Sequence, residues 1–200
     1  MTNHRHFIVH KPFGYMSQFI CNHNKTKLLG TLYNFPEGTM SIGRLDEASE
    51  GLLFLTTDGK MSALIRSRKV EKEYYAQVDG LITEEAIEEM QRGVEIGVDG
   101  GKYQTLPCKA FRVEPAPDFA PRTKKIRDDR HGPTSWVSIT VTEGKNRQVR
   151  KMTAAVGFPT LRLIRVRIGT IRLQDLPPGK VVEVKQFNLD EPDPETSFNY

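Results

Sequence analysis

Short hydrophobic segments bounded by turn residues recur along the chain, and most of them predict β-strands. The segment from Lys72 alternates in character, with Tyr74, Ala76 and Val78 on one face and Tyr75 and Gln77 on the other. The predicted strands cover residues 7–10, 40–45, 52–55, 72–80, 105–113, 136–144, 160–169 and 171–184.

Four segments have helical periodicity instead. They are residues 27–33, a short segment after the start signal Thr57-Asp58-Gly59, the acidic segment 83–93 with a Thr cap and a Gly stop, and residues 146–156. The strands fall into antiparallel-looking groups and do not alternate strictly with helices. The pattern therefore predicts an α+β fold with a large mixed, largely antiparallel sheet and short flanking helices.

The domain organisation follows from the absence of a dividing linker or an internal repeat. We expect a single domain over residues 1–186, with two lobes that share one sheet, and a flexible acidic tail over 187–200. The only long loop, residues 114–133, is rich in proline and charge. A loop of this length in a compact domain is usually functional or disordered.

Composition excludes several classes of protein. Hydrophobic residues make up 38% of 200 residues, no apolar run approaches the length of a bilayer span, and the N-terminus lacks the apolar core of a signal peptide. We therefore expect a cytoplasmic protein without membrane contact. Cys21 and Cys108 lack the spacing of a zinc site, and Cys21 with His23 offers only two ligands, so free thiols are favoured and no metal is predicted.

The distribution of charge says more than the total of +4. Residues 122–172 hold thirteen basic and three acidic residues, a formal charge of +10, which leaves −6 for the remainder. A concentrated basic segment favours a polyanionic partner, most commonly nucleic acid. A solvated charged surface is the alternative.

The motif Gly-Arg-Leu-Asp at residues 43–46 places a carboxylate in a charged turn before the apolar segment 52–55. If Asp46 faces a cleft, it can act as a nucleophile or a general base, and an arginine such as Arg44 or Arg150 would keep it ionised. An aspartate that only caps a turn is the alternative, and spacing alone does not separate the two.

Two further candidates concern nucleic acid. Backbone amides at the predicted helix start near residue 146, together with Lys145, Arg147 and Arg150, suit phosphate groups. One of the adjacent Tyr74 and Tyr75 must face away from the core, where it can stack on a base. An exposed basic flank and an ordinary pair of core and surface tyrosines are the alternatives. Motifs for nucleotide hydrolysis or a dinucleotide cofactor are absent.

Three segments together resemble the core motifs of the RsuA-type pseudouridine synthases, in the same order and spacing. They are GRLDEASEGLLFLTTDG from Gly43, KEYYAQVDG from Lys72 and EGKNRQVRKMTAAVGFPTLRLIRVRIG from Glu143. The opening HKPFGY is similar to the first strand and turn of that family, although His10 stands where Asn is usual. Ala48 is a second departure from the family pattern. The resemblance extends over about residues 7–184.

The resemblance implies the family's fold, with a central RNA-binding cleft, and its reaction, the isomerisation of uridine to pseudouridine in RNA without a cofactor. It implies that Asp46 is catalytic, that Tyr74 packs on the target base and Val149 lines the uracil pocket, and that Arg150 pairs with the aspartate. It also assigns motif positions, with less defined roles toward substrate and RNA, to Arg44, Lys72, Asn146 and Arg147. Lys145 and Lys151, on the basic flank of the predicted helix, are further candidates for RNA binding.

The implied substrate is large-subunit (23S) ribosomal RNA, and we expect a monomer without the small N-terminal RNA-binding domain of many relatives. Two alternatives stay open: the same chemistry on small-subunit RNA, and a non-catalytic RNA-binding or ribosome-assembly factor. The sequence also leaves open whether Asp46 attacks the ribose or abstracts its 2′ proton. A flipped target base would cost a few kcal/mol of unstacking, which phosphate contacts can offset.

Overall fold

The computed structural model describes residues 4–20, 27–67, 70–127 and 129–189. The predicted tail beyond residue 189, and Cys21 and His23, lie outside these ranges. The strands are β1 (His6–Lys11), β2 (Tyr15–Met16), β3 (Lys27–Leu28), β4 (Met40–Ile42), β5 (Ser49–Thr56), β6 (Lys72–Asp79), β7 (Glu95–Val98), β8 (Gly101–Gln104), β9 (Lys109–Arg112), β10 (Thr134–Val141), β11 (Thr160–Ile168), β12 (Ile171–Arg172) and β13 (Val181–Val184). The α-helices are α1 (Gly59–Ser67), α2 (Glu84–Arg92) and α3 (Gln148–Ala155).

The predicted α+β class with a largely antiparallel sheet is confirmed. The strand pairs β1–β13, β1–β5, β4–β5, β6–β10, β9–β10, β11–β12 and β7–β8 are antiparallel, and the short pair β2–β3 is parallel. The chain divides into two compact units, residues 1–70 with 165–200 and residues 71–164. We call them the first and the second unit.

In the first unit, β1 lies between β13 and β5, and all six of its residues are buried. Both faces of this strand are therefore covered, which explains why its sequence does not alternate between apolar and polar residues. Phe7, Val9, Leu53 and Leu55 form a core with Leu29.

The helix predicted over residues 27–33 is wrong. The segment forms β3 and a single 3₁₀ turn, Leu29–Thr31, in which the Thr31 hydroxyl donates to the Leu28 carbonyl at 2.8 Å. Leu29 is buried in the core of the first unit and Leu32 packs against that core. This apolar packing overrides a weak helical pattern in so short a segment.

Two strand boundaries near the candidate aspartate also differ from the prediction. β4 ends at Ile42 because Gly43 has a φ of +74°, which breaks the extended conformation, and β5 begins at Ser49, earlier than residue 52. The predicted start of α1 is confirmed. The Asp58 side chain accepts hydrogen bonds from the backbone N–H groups of Lys60 (2.8 Å) and Met61 (3.2 Å).

In the second unit, β10 pairs with β6 on one side and β9 on the other. One face of this sheet packs against the core that includes α2 and α3, where Ala76, Val78, Ile87, Met90 and Met152 are buried. The Thr83 cap and the Gly93 stop of α2 are confirmed. The glycine-rich segment after α2 forms the β7–β8 hairpin, and α3 begins at Gln148, two residues later than predicted.

Candidate active site

The turn that carries Asp46 is fixed by a buried serine. The Ser17 hydroxyl accepts a hydrogen bond from the Leu45 N–H at 2.9 Å and donates one to the Leu45 carbonyl at 2.7 Å. Ser17 and Leu45 are each 6% exposed. One side chain therefore satisfies both backbone polar groups of the residue that precedes Asp46, in a place that water does not reach.

The other side of the turn is closed by backbone hydrogen bonds. The Ser49 N–H donates to the Asp46 carbonyl at 3.0 Å, and the Gly14 N–H donates to the Glu47 carbonyl at 2.9 Å. Asp46 is half-buried, whereas Arg44 and Glu47 are exposed. Asp46 is therefore a carboxylate at the entry to a fully buried strand, held by backbone contacts before and after it.

Lys11 is a buried cation in the same region of the first unit. Its ammonium donates to the carbonyls of Tyr15 (2.6 Å), Pro12 (3.0 Å) and Glu47 (3.4 Å). Burial lowers the pKa of Lys11 to about 7, and the nearby carboxylates of Glu50 and Asp46 act in the opposite direction. Lys11 thus links the strand end of β1 to the Asp46 turn electrostatically.

Sequence reasoning did not select Lys11 or Ser17. A lysine at the end of an apolar strand, directly before a proline, is a signal that could have marked Lys11. Ser17 carries no such local signal, because its partner Leu45 is 28 positions away in the sequence.

In the second unit, the side chains of β6 point to the two faces of the sheet that the sequence alternation predicted. Tyr74 is half-buried and packs against the core with Ala76 and Val78, and it lies opposite Ile139 of β10. Tyr75 points to the other face, where its ring lies 6.0 Å from that of Phe119. Lys72, at the start of the strand, is half-buried.

The connection from β10 to α3 is organised by Gln148. Its side-chain oxygen accepts a hydrogen bond from the Lys145 N–H at 2.9 Å, and its amide nitrogen donates to the Glu143 carboxylate at 2.6 Å. Glu143 also accepts from the Tyr103 hydroxyl at 2.6 Å, which raises the pKa of Tyr103. The Lys145 ammonium lies 4.3 Å from the centre of the Tyr103 ring.

The predicted phosphate-binding residues lie at the start of α3. Lys145, Asn146 and Arg147 are exposed, and Arg147 at the helix cap has left-handed backbone angles, φ 53° and ψ 31°. The exposed turn therefore places cations beside the N-terminus of a helix, a position that favours anions.

The following residues of α3 divide between core and surface. Val149 is 4% exposed and belongs to the same core as Tyr74. Arg150 and Lys151 are half-buried, and the Arg150 guanidinium donates to the Thr160 carbonyl at 3.4 Å. The structure thus brings Tyr74 and Val149 into one cluster of the second unit, whereas Arg44 and Asp46 belong to the first unit.

Within the described ranges, no group of three or more His, Cys, Asp and Glu residues is arranged to hold a metal ion. Cys108 is a free thiol, and burial raises its pKa to about 11. Among the helices of the described residues, none is long and apolar enough to cross a membrane.

Comparison with known proteins assigns the chain to a protein family. The family model for RNA pseudouridylate synthase matches residues 5–155, more than half of the chain. The chain belongs to this family. It is therefore an RNA pseudouridine synthase, an isomerase, as the three motifs predicted.

Curated relatives of this synthase support the assignment over most of its length. It is 41% identical over 187 residues to ribosomal large subunit pseudouridine synthase E of Vibrio parahaemolyticus, a match that covers 92% of this chain and 76% of the relative. It is 40% identical to the protein of the same name from Xanthomonas axonopodis pv. citri, over 86% of this chain and 89% of that one. A synthase named B, from Bacillus subtilis, is 30% identical over 90% of this chain and 67% of the relative.

Solved structures agree with the fold. A crystal structure described as a pseudouridylate synthase has a TM-score of 0.72 with this synthase, with 25% identity over 92% of this chain and 71% of that one. The human RNA pseudouridylate synthase domain containing 1 has a TM-score of 0.52 at 18% identity, over 90% and 78% of the two chains. The second similarity concerns the fold alone.

Proposed function

We propose that this synthase isomerises a specific uridine to pseudouridine in large-subunit (23S) ribosomal RNA. The observation that carries the proposal is the 41% and 40% identity to two proteins named ribosomal large subunit pseudouridine synthase E. Both matches extend over more than four fifths of the chain. We further propose that residues 1–186 act as one catalytic domain, in the cytoplasm and as a monomer.

The reaction proposed breaks the bond between N1 of uracil and C1′ of the ribose and forms a bond from C5 of the same base to C1′. The hydrogen on C5 then leaves as a proton, and N1 takes up a proton. Reactant and product are isomers and the detached base is retained, so the step needs no oxidant, no reductant and no group carrier. We therefore propose catalysis by side chains without a cofactor.

Asp46 is the catalytic residue in this proposal. Its support is the position of Asp46 in the Gly-Arg-Leu-Asp turn, half-buried, with the preceding residue held by Ser17. A preorganised carboxylate serves either route, attack on C1′ or removal of the 2′ proton, because both begin from the anion.

Residues that hold the substrate are proposed in two groups. Tyr74, Val149, Arg150 and Arg44 act on the target nucleotide, with Tyr74 against the base and Val149 in the wall of the uracil pocket. Lys72, Lys145, Asn146, Arg147 and Lys151 contact RNA. Support comes from the packing of Tyr74 and Val149 in one cluster and from the exposed basic turn before α3.

The test is release of tritium from ribosomal RNA labelled at C5 of uridine. Wild-type protein, Asp46→Asn and Glu47→Gln are compared on large-subunit and small-subunit RNA. Glu47→Gln is the matched control, because it removes the neighbouring exposed carboxylate from the same turn. We expect release from large-subunit RNA by wild type and Glu47→Gln and none by Asp46→Asn.

Each other result overturns a defined part of the proposal. Release by Asp46→Asn at the wild-type rate removes Asp46 as the catalytic residue. Tritium release from small-subunit RNA alone would show that the substrate is small-subunit RNA. RNA binding by the wild type without release from either RNA would indicate a binding or assembly factor.

A further inference from the structure

The described part of the proline-rich loop, residues 114–127 and 129–133, lies over the face of the β6–β10 sheet opposite to Tyr74. Phe119 anchors it. Its ring lies 6.0 Å from Tyr75 and 5.7 Å from Trp136, and the Arg162 guanidinium lies 5.8 Å from its centre. Arg162 also donates to the Ala120 carbonyl at 2.8 Å. The aromatic contacts of this face are therefore used to hold the loop.

A second anchor lies further along the loop. The Arg127 guanidinium donates to both carboxylate oxygens of Asp79, at the end of β6, at 2.9 and 2.6 Å, and also donates to the Pro133 carbonyl at 3.2 Å. The hydrogen bond from Arg127 lowers the pKa of Asp79. A bidentate pair of this kind fixes direction as well as distance, so the loop is held at two points along the sheet.

Between the two anchors is a groove with a volume of about 840 Å³. Its floor includes Gln77, Thr134 and Arg162, and the Gln77 amide donates to the Thr134 hydroxyl at 2.9 Å. The described residues that line it include five cations and no carboxylate. These cations are Arg122, Lys124, Lys125, Arg127 and Arg162.

The lining selects a class of ligand. Arg127 is paired with the Asp79 carboxylate, and the other four cations of this concave surface attract phosphate groups. The aromatic rings nearby are packed under the loop, and the described lining includes none of them. A surface of this composition binds the sugar-phosphate backbone and has no platform for stacking bases. Its binding is thus independent of base sequence.

We propose that this groove, which we call the loop groove, binds the phosphate backbone of an RNA segment outside the target uridine. The groove and Tyr74 lie on opposite faces of the β6–β10 sheet, so the same nucleotide cannot occupy both. The inference rests on the proposed function for the identity of the RNA, but it adds a second contact region that tethers the substrate to the enzyme.

The experiment measures binding of a fluorescein-labelled oligouridylate over a series of KCl concentrations. Wild type is compared with Lys124→Ala/Lys125→Ala, which removes two exposed cations from the loop groove. The matched control, Lys102→Ala/Lys109→Ala, removes the same charge from two exposed lysines elsewhere in the second unit. Their ion pairs with Glu95 and Glu71 are surface pairs, which contribute little to stability.

We expect the groove variant to bind more weakly and to reduce the slope of log K against log salt by about 1.4, since each phosphate contact with a single strand contributes about 0.7. The control should keep the wild-type slope to within about 0.3. Equal slopes for the two double variants would overturn the proposal. Displacement of the oligouridylate by ATP, at ATP concentrations near the Kd of the oligouridylate, would also overturn the proposal, because the groove would then be a mononucleotide site.

Isomerisation by the wild type is measured separately with C5-tritiated ribosomal RNA. If wild type releases tritium and the two double variants bind RNA equally, the loop groove proposal alone has failed. If wild type releases no tritium but the groove variant shows the reduced salt slope, the loop groove proposal is supported and the proposed substrate is wrong.

Discussion

The Ser17 hydroxyl satisfies both the N–H and the carbonyl of Leu45, at 2.9 and 2.7 Å, and Leu45 directly precedes Asp46. The two residues are buried and 28 positions apart in the chain. This contact ties the catalytic turn of the proposal to the segment after β2. The position of Asp46 thus depends on a residue that takes no part in the chemistry.

Ser17→Ala tests that dependence. The substitution leaves two buried backbone groups without their partner, so we expect the free energy of unfolding to fall by about 1–3 kcal/mol. We also expect kcat for tritium release to fall, with RNA affinity nearly unchanged, because the turn carrying Asp46 loses its fixed position. Urea unfolding and single-turnover kinetics measure the two effects.

Thr31→Ala is the matched control for Ser17→Ala. It also removes a hydroxyl that donates to a backbone carbonyl, that of Leu28 at 2.8 Å, but the contact is exposed. We expect at most about 0.5 kcal/mol of destabilisation and full activity. If Ser17→Ala behaves like Thr31→Ala, the serine does not position the turn.

Lys11 predicts a pH dependence of stability. Its pKa is about 7 in the folded protein, while an unfolded lysine titrates near 10.4. Between these values the unfolded state binds more protons than the folded state, so stability rises with pH. Below about pH 7 the lysine is protonated in both states, and the folded protein bears the full cost of burying the charge.

Lys11→Met isolates this contribution. We expect wild type to gain stability relative to Lys11→Met as pH rises from 7 to 10, by up to about 1.4 kcal/mol per pH unit. Urea unfolding of both proteins at matched pH values measures the difference. A difference that stays constant with pH would show that the Lys11 pKa is not lowered by folding.

The sequence predicted the elements whose signals are local. The Thr83 cap with the Gly93 stop located α2, the Asp58 signal located α1, and the alternation in β6 separated Tyr74 from Tyr75. In each case the residues that determine the structure are within a few positions of one another. The α+β class followed from the order of these elements.

The features that the sequence did not predict depend on contacts between residues that are distant in the chain. Residues 27–33 form a strand and a 3₁₀ turn because Leu29 and Leu32 pack against β1 and β5, which their own segment does not encode. Ser17 escaped notice for the same reason, since its partner is distant in the sequence. The Asp46 turn was found as a motif, but the contacts that hold it were not.

The helix start predicted at residue 146 is wrong because of the backbone conformation of Arg147. Arg147 adopts φ 53°, so α3 begins only at Gln148. A left-handed arginine is unusual, because the conformation costs a non-glycine residue about 1–2 kcal/mol. A cation at a helix N-terminus is also unfavourable for the helix dipole. Both costs are explained if Arg147 is retained to bind an anion, as proposed for RNA phosphate.

Arg147→Gly and Arg147→Lys separate the backbone from the charge. Glycine adopts the left-handed conformation without strain but removes the cation. We expect Arg147→Gly to keep its stability within about 1 kcal/mol of wild type, or to exceed it, and to lower the salt slope of RNA binding by about 0.7. Arg147→Lys keeps the charge and the strained backbone, so its slope should match wild type. If Arg147→Gly binds RNA with the wild-type slope, the strain at this position serves the fold and not the substrate.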